Sequence, residues 1–164
     1  GLRDLDAVVG RTRQINHYER VLRTSSGPAL IAAEAAPSCV RDPAFRRVVT
    51  EIYDFRCAAT GLRLVLPDGA AMVEAAHIHP FSQAGDDDPR NGLALTPDMH
   101  GALDRHLIAP DTDFRWRVNP SLDRRGPEYR VLTELEGKPL FLPREARMYP
   151  KRMAIEWRMA MMQR

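Results

Sequence analysis

Three histidines, an asparagine and an aspartate in one short stretch are the residues of this chain best suited to chemistry. His77 and His79 lie two positions apart, Asn91 follows, and His100 and Asp104 are four apart. A neutral imidazole accepts a proton well near pH 7. An imidazole and a carboxylate on one helical face can share a divalent ion. Phosphodiester hydrolysis needs an attacking water, a base and a cation, so the spacing permits that reaction.

A hairpin is predicted to carry the first histidines. Residues 62–66 alternate as a strand, a Pro-Asp-Gly turn follows, and residues 71–79 return. With a period of two, His77 and His79 share one face of the returning strand, while Glu74 and Ala76 share the other.

A strand and a helix are predicted to carry the remaining site residues. Residues 93–95 form a short apolar strand, Thr96 is a suitable N-cap, and Pro97 suits the first helical turn. The helix should run to about Arg105, which places His100 and Asp104 one turn apart.

The flanking sequence predicts further elements. A helix starts at Pro43, residues 114–118 alternate as a strand, and another short strand begins near Tyr129. Pro150 opens a last helix. Its predicted apolar face consists of Met153, Trp157, Ala160 and Met161, and Ile155, Met159 and Met162 widen it.

Composition permits nucleic-acid binding without demonstrating it. The net charge is only +2, but all except two of the 24 basic residues are arginine. Arginine binds phosphate bidentately and stacks on bases, although a GC-rich genome also favours arginine. With 44% apolar residues and no apolar run of bilayer length, we expect a folded protein of the cytoplasm that does not enter membranes.

Two regions are predicted. Residues 1–42 form a helical arm and linker, because apolar residues recur at helical spacing over 2–23 and a Ser, Gly, Pro and Ala-rich segment follows. Residues 43–164 form the main domain. The arm could be a packing element, a dimerisation device or the tail of an upstream domain.

Some chemically capable residues have simpler interpretations. The run Asp86–Asp88 could be a cation site, but we favour a solvated turn ending at Pro89. His106, just past the predicted helix, is expected to be a cation that interacts with the helix dipole. Cys57 is expected to be a small buried residue.

Three segments together resemble the HNH endonucleases, which have the ββα-metal (His-Me finger) fold. They are Glu74-Ala-Ala-His-Ile-His-Pro80, Arg90-Asn-Gly-Leu-Ala-Leu95 and His100-Gly-Ala-Leu-Asp104. The flanks are similar to HNH domains of modification-dependent restriction enzymes. The resemblance spans about residues 43 to 164. It implies an α+β fold: a ββα-metal core with flanking helices and a C-terminal helix.

The resemblance also implies roles. His77 is the general base, Asn91 holds the loop and the geometry of His77, and His100 is a catalytic metal ligand. Asp104 is the expected partner ligand, with Asn91 as a further candidate. The ion is expected to be Mg²⁺ or Mn²⁺, with Ni²⁺, Co²⁺ or Zn²⁺ as alternatives. The candidates for holding phosphates are Arg90, Arg115 and Arg117.

Two positions depart from the family pattern. Many members have a metal-binding Asp or His directly before the base, where this chain has Ala76. Coordination must then rest on the helix, on Asn91 or on His79. Many members also have two Cys-x-x-Cys pairs for a structural zinc, whereas here Cys57 is followed by Thr60 and no second pair exists. No structural zinc is expected.

The expected function is therefore a metal-dependent DNA endonuclease, the cleavage module of a bacterial restriction or defence system, leaving 5′-phosphate and 3′-hydroxyl ends. Its expected partners are DNA and either a second copy of the chain or an upstream recognition domain. Because Ala76 lacks a ligand, a nucleic-acid-binding module with an inactive site is the alternative. A secreted nuclease toxin is disfavoured by the missing export signal and the mild charge.

Overall fold

The computed structural model describes residues 43–162, so the predicted arm and its boundary at residue 42 lie outside the described residues. Short helices and strands alternate along the described region, as in an α+β domain. The helices are α1 (Pro43–Ile52), α2 (Phe81–Ala84), α3 (Pro97–Asp104), α4 (Arg130–Thr133) and α5 (Arg152–Met162). The strands are β1 (Glu74–His77), β2 (Gly92–Leu95), β3 (Ile108–Pro110) and β4 (Trp116–Val118). Single 3₁₀ turns cover Pro89–Asn91, Pro127–Tyr129 and Ala146–Met148.

The pair β1–β2 and the helix α3 position the predicted site residues. The two strands are antiparallel, with Glu74 opposite Leu95 and His77 opposite Gly92. Every residue of β2 is buried, and only Thr96 separates β2 from α3. The predicted second strand and the predicted helix are confirmed.

Helix α1 packs directly on β2 at Gly92. A Cβ there would lie 2.5 Å from Cγ2 of Val49 and 2.9 Å from Cζ of Phe45. A side chain at this position would therefore collide with α1, and glycine allows the close approach. Because Gly92 is opposite His77, the same approach brings Phe45 to the end of β1.

A second antiparallel pair, β3 with β4, holds the largest side chain of the core. Trp116 is fully buried, and its Nε1 donates to the carbonyl of Ala58 at 3.2 Å. Its backbone N–H donates to the carbonyl of Lys138 at 2.9 Å, and its carbonyl accepts from the N–H of Gly137 at 2.8 Å. The segment after α4 is thereby attached to β4.

The predicted hairpin forms only next to its turn. Residues 62–66 meet the returning segment at the bridge between Val65 and Ala71, and farther along β1 pairs with β2 instead. Burial explains the choice: Leu93 in β2 is fully buried, while Leu64 is 48% exposed. A strand whose apolar side chains find no core gains little from sheet pairing.

Two other strand predictions also needed correction. The strand predicted over 114–118 begins only at Trp116, because Phe114 has a φ of 56°, outside the β region. The segment predicted as a strand near Tyr129 is a 3₁₀ turn followed by α4. Pro127 at the start of that turn favours the helical geometry.

Helix α5 is present as predicted, and its buried face includes only Ile155 and Met162 of the predicted apolar residues. Met153, placed on the predicted apolar face, is 81% exposed. The buried residues of the helix are Ala154, Ile155, Arg158 and Met162. The buried face differs from the predicted one because it includes Arg158. A prediction from apolar spacing assigns an arginine to the surface.

Arg158 is fully buried and joins α5 to β1 and α3. Its Nε donates to the carbonyl of Ile78 at 2.6 Å and its Nη2 to that of His77 at 3.1 Å. Its Nη1 donates to the carbonyl of Leu103 at 3.1 Å. Burial lowers the pKa of Arg158 to about 10, which leaves the group charged at neutral pH. One cation thus satisfies three backbone carbonyls from two elements.

His106 is not the helix-terminal cation that its position predicted. Its Nδ1 lies 3.2 Å from Nη1 of Arg158, which can only donate. Burial, and next the charge of Arg158, lower the pKa of His106. The imidazole is therefore a neutral acceptor of the Arg158 hydrogen bond.

Within residues 43–162, no helix combines the length and apolar character needed to span a membrane.

Replacing Arg158 with methionine is expected to lower the free energy of unfolding by about 3 kcal/mol, since three backbone carbonyls each lose a hydrogen bond worth roughly 1 kcal/mol. Urea denaturation followed by circular dichroism measures the change. The control is Arg152→Met on the same helix, where the lost contact is an exposed pair with Glu156, worth less than about 1 kcal/mol. Equal losses in the two variants would contradict the anchoring role.

Stability is expected to fall as the pH drops below about 6.5, partly through His106. The folded pKa of His106 lies below its unfolded value, so between the two values the unfolded chain binds more protons. The contribution is present above the unfolded pKa and is lost as the pH falls through the folded pKa. Urea denaturation at several pH values measures this loss. His106→Asn keeps an acceptor that does not titrate and should lose less; an equal loss would refute the assignment.

Candidate active site

His77, the last residue of β1, is held on three sides. Its Nε2 lies 2.9 Å from Oδ1 of Asp87. One ring face stacks on Phe45, with centroids 3.9 Å apart and planes 6° from parallel, and Phe81 lies tilted at 6.0 Å. These contacts leave 16% of the side chain exposed.

The second ring nitrogen of His77, Nδ1, has no hydrogen-bond partner among the described residues. Every buried side-chain nitrogen or oxygen of those residues does have a hydrogen-bond partner. Nδ1 is therefore not buried. A confined imidazole with one accessible nitrogen can act as a general base.

Asn91 is fully buried and joins the end of β1 to the loop that follows. Its Oδ1 accepts from the N–H of His79, and its Nδ2 donates to the carbonyls of His79 and Asp86, all at 2.9 Å. Its own carbonyl accepts from the N–H of Ile78 at 2.8 Å. This geometry favours the loop-holding role of Asn91 over the role of metal ligand.

His100 lies between two carboxylates. Its Nδ1 is 2.9 Å from Oε2 of Glu74, and its Nε2 is 3.5 Å from Oδ2 of Asp104. The structure thus brings together the pair predicted from helical spacing and adds a partner from β1. Both carboxylate side chains are more than half exposed, so the group formed by Glu74, His100 and Asp104 is accessible to solvent.

Glu74 was not among the sequence-predicted site residues. A signal did exist, because the strand period places Glu74 on the same face as Ala76, where family members carry a ligand. The side chain of Ala76 is fully buried and offers no donor atom. Among residues 43–162, no three or more His, Cys, Asp or Glu side chains are grouped closely enough to form a metal site on their own.

The run Asp86–Asp88 is neither a free cation site nor a solvated turn. Nζ of Lys151 lies 2.9 Å from carboxylate oxygens of both Asp86 and Asp88, and Arg90 forms a fork with Asp88 at 2.7 and 3.1 Å. Burial raises the pKa of Asp88, but hydrogen bonds from Arg90 and Lys151 bring it below its ordinary value. The solvated-turn interpretation was wrong because Lys151, which is distant in sequence, forms ion pairs with two of the three aspartates of the loop.

Two of the three predicted phosphate-binding arginines already have acidic partners. Arg90 is paired with Asp88, as above. Arg117 contacts Asp111 at 2.8 Å and Glu136 at 3.1 Å. Arg115 donates to the carbonyl of Gly137 at 2.8 Å and forms no ion pair with a described residue. Of the three arginines, it is therefore the one whose charge is not already balanced by a carboxylate.

His79, the alternative ligand, serves packing. Its ring stacks on Trp157 with centroids 4.2 Å apart and planes 14° from parallel. Burial, and next the charge of Arg158, lower its pKa. Cys57 is a buried free thiol, as expected, and its Sγ accepts from the N–H of Thr96 at the start of α3.

Comparison with known structures supports the fold. The chain is similar to a protein described as "Modification dependent TagI restriction endonuclease", with a TM-score of 0.58 and 20% sequence identity. The match covers 76% of this chain and 39% of that one, so the chain spans well under half of that protein. No curated protein shows significant sequence similarity.

A family model described as "HNH endonuclease" matches residues 57–109. That span takes in β1, β2, α3 and the loop between the strands. It therefore includes the confined imidazole of His77, the loop-holding amide of Asn91 and the carboxylate-flanked His100. With these three residues inside the match, residues 57–109 of the chain are similar to the HNH endonuclease family.

Proposed function

We propose that the chain is a metal-dependent DNA endonuclease in which His77 activates water and His100 with Asp104 holds a divalent ion. The observation that carries the proposal is the confinement of His77, with Nδ1 not hydrogen-bonded to any described residue, inside the span that matches the HNH family. In this reading β1, β2 and α3 form the ββα-metal core.

The donor set around His100 suits a hard, hydrated ion. Nε2 of His100 and Oδ2 of Asp104 are 3.5 Å apart, a separation that two ligands of one ion can have. Mg²⁺ keeps several waters and binds through one or two protein groups, so two donors suffice without Ala76. Glu74, on Nδ1, orients the ring and fixes its tautomer. When bound, the ion would stabilise the negative charge that builds on the phosphate.

The residues of the chain divide the remaining work. His77 takes a proton from the attacking water at Nδ1. Asn91 keeps the end of β1 and its loop in register, so the imidazole stays in place. Arg115 is the best placed of the predicted arginines to hold a phosphate, because Arg90 and Arg117 are paired with carboxylates.

We infer the wider role from the similarity to the TagI restriction endonuclease. A chain that matches 39% of a restriction endonuclease is suited to be a cleavage module. It would act in the bacterial cytoplasm for restriction or defence, with a recognition domain or a second copy as its partner. The second candidate is a DNA-binding module with an inactive site, favoured by the absence of a ligand at Ala76.

Replacing His77 with alanine is expected to slow cleavage of supercoiled plasmid in Mg²⁺ or Mn²⁺ by at least about 100-fold, the usual worth of a general base. Gel electrophoresis of nicked and linear products measures the rate. The control, His79→Phe, keeps the stack on Trp157 and should cut within a few-fold of the parent. Equal rates for His77→Ala and the parent would sink the base assignment. Tight DNA binding by the parent without cleavage in any divalent metal would favour the inactive module.

Replacing His100 with alanine, or Asp104 with asparagine, is expected to weaken Mn²⁺ binding by at least about 10-fold, because the first removes a donor nitrogen and the second removes the negative charge of a ligand. Isothermal titration calorimetry of the full chain measures the affinity. Asp98→Asn removes a charge from the same helix at an exposed position and should bind like the parent. Parent-like binding by both site variants would show that the ligands are elsewhere.

A further inference from the structure

We propose that Asp87 is the positioning residue for His77, holding the imidazole with its proton on Nε2 and its lone pair at Nδ1. The inference deepens the proposed function, because it concerns the residue assigned there as the base. Neither the family match nor the spacing of the motif singled out Asp87.

Two contacts fix the two rotations of the His77 side chain. The stack on Phe45, 3.9 Å away and 6° from parallel, fixes the ring plane. The bond between Nε2 and Oδ1 of Asp87, at 2.9 Å, fixes the orientation within that plane. With both in place, Nδ1 points in one direction, as a base acting on a bound substrate requires.

The carboxylate also selects which nitrogen carries the proton. An ionised carboxylate only accepts hydrogen bonds, so Nε2 donates to Asp87, and in the neutral ring the lone pair is then on Nδ1. When Nδ1 takes a proton from water, the O–H electron pair stays on the oxygen that attacks phosphorus. The 3′ oxygen leaves with the electrons of its P–O bond and takes a proton from solvent. Asp87 remains ionised and stabilises the imidazolium, as in other carboxylate–histidine pairs.

The neighbours of Asp87 keep it in place. Asp86 and Asp88 both pair with Lys151, and the carbonyl of Asp86 accepts from Nδ2 of Asn91. The backbone is therefore held on both sides of Asp87, whose own carboxylate contacts the imidazole instead. The three aspartates thus have two roles: the outer two attach the loop, and the middle one contacts the base.

Proton NMR on ¹⁵N-histidine-labelled protein tests the contact without any need for cleavage. In the parent, the Nε2 proton of His77 should be slow to exchange and shifted downfield, and Asp87→Ala should remove that signal. The control is Asp98→Asn, which removes the same charge at an exposed position that does not contact His77; it should keep the signal. Retention of the signal in Asp87→Ala, or its loss in both variants, would overturn the proposal.

Cleavage kinetics supply the second arm. Asp87→Ala should lower kcat at least about 10-fold with little change in KM, since a positioning residue acts through His77 and not through substrate binding. Asp87→Glu keeps the carboxylate and should recover part of the loss. An Asp87→Ala enzyme with parental kcat would refute the positioning role. If the parent cuts no DNA, the proposed function fails, while the NMR result still decides whether Asp87 holds His77.

Discussion

The buried guanidinium of Arg158 is the interaction on which the geometry of the site depends. β1 ends at His77, and the chain then turns away toward α2, leaving carbonyls without strand partners. Arg158 satisfies two of them, on His77 and Ile78, and reaches the carbonyl of Leu103 in α3 as well. Buried unpaired carbonyls are costly, so the hydrogen bonds of Arg158 stabilise this path of the chain. They also link the strand that bears His77 to the helix that bears His100.

Helix α1 also contacts His77, through the side chain of Phe45. Its approach at Gly92 places Phe45 flat against the imidazole. The surroundings of the His77 imidazole thus include residues far before and far after it in the chain, Phe45 and Arg158. The loop between β1 and β2 contributes in turn, because Asn91 and Lys151 hold its backbone and acidic groups. Polar and aromatic contacts converge on one ring, and no single one of them would define its orientation.

Sequence could predict the parts of the site whose signals are local. Thr96 and Pro97 mark the start of α3, and the spacing of His100 and Asp104 follows from the helical repeat. Asn91 and His77 came from motif resemblance, and their surroundings are consistent with the roles it implied.

The rest could not be predicted, because it depends on contacts between residues distant in sequence. Three adjacent aspartates look alike until Lys151 is placed beside the outer two. Arg158 reads as a surface residue until three carbonyls converge on it. The pairing of β1 also depended on burial, since residues 62–66 alternate like a strand yet find no core.

The stack of Phe45 on His77 bears on how such a domain can be transferred between proteins. The matched motif covers residues 57–109, but Phe45 and Arg158 both lie outside it. A chimera that exchanged only the motif would contain His77 without the phenyl ring that stacks on it or the arginine that binds the carbonyl at the end of its strand. Recombination that preserves these contacts must therefore include α1 and α5 along with the motif. The segment that contains all the contacts around the imidazole is therefore longer than residues 57–109, which the family model matches.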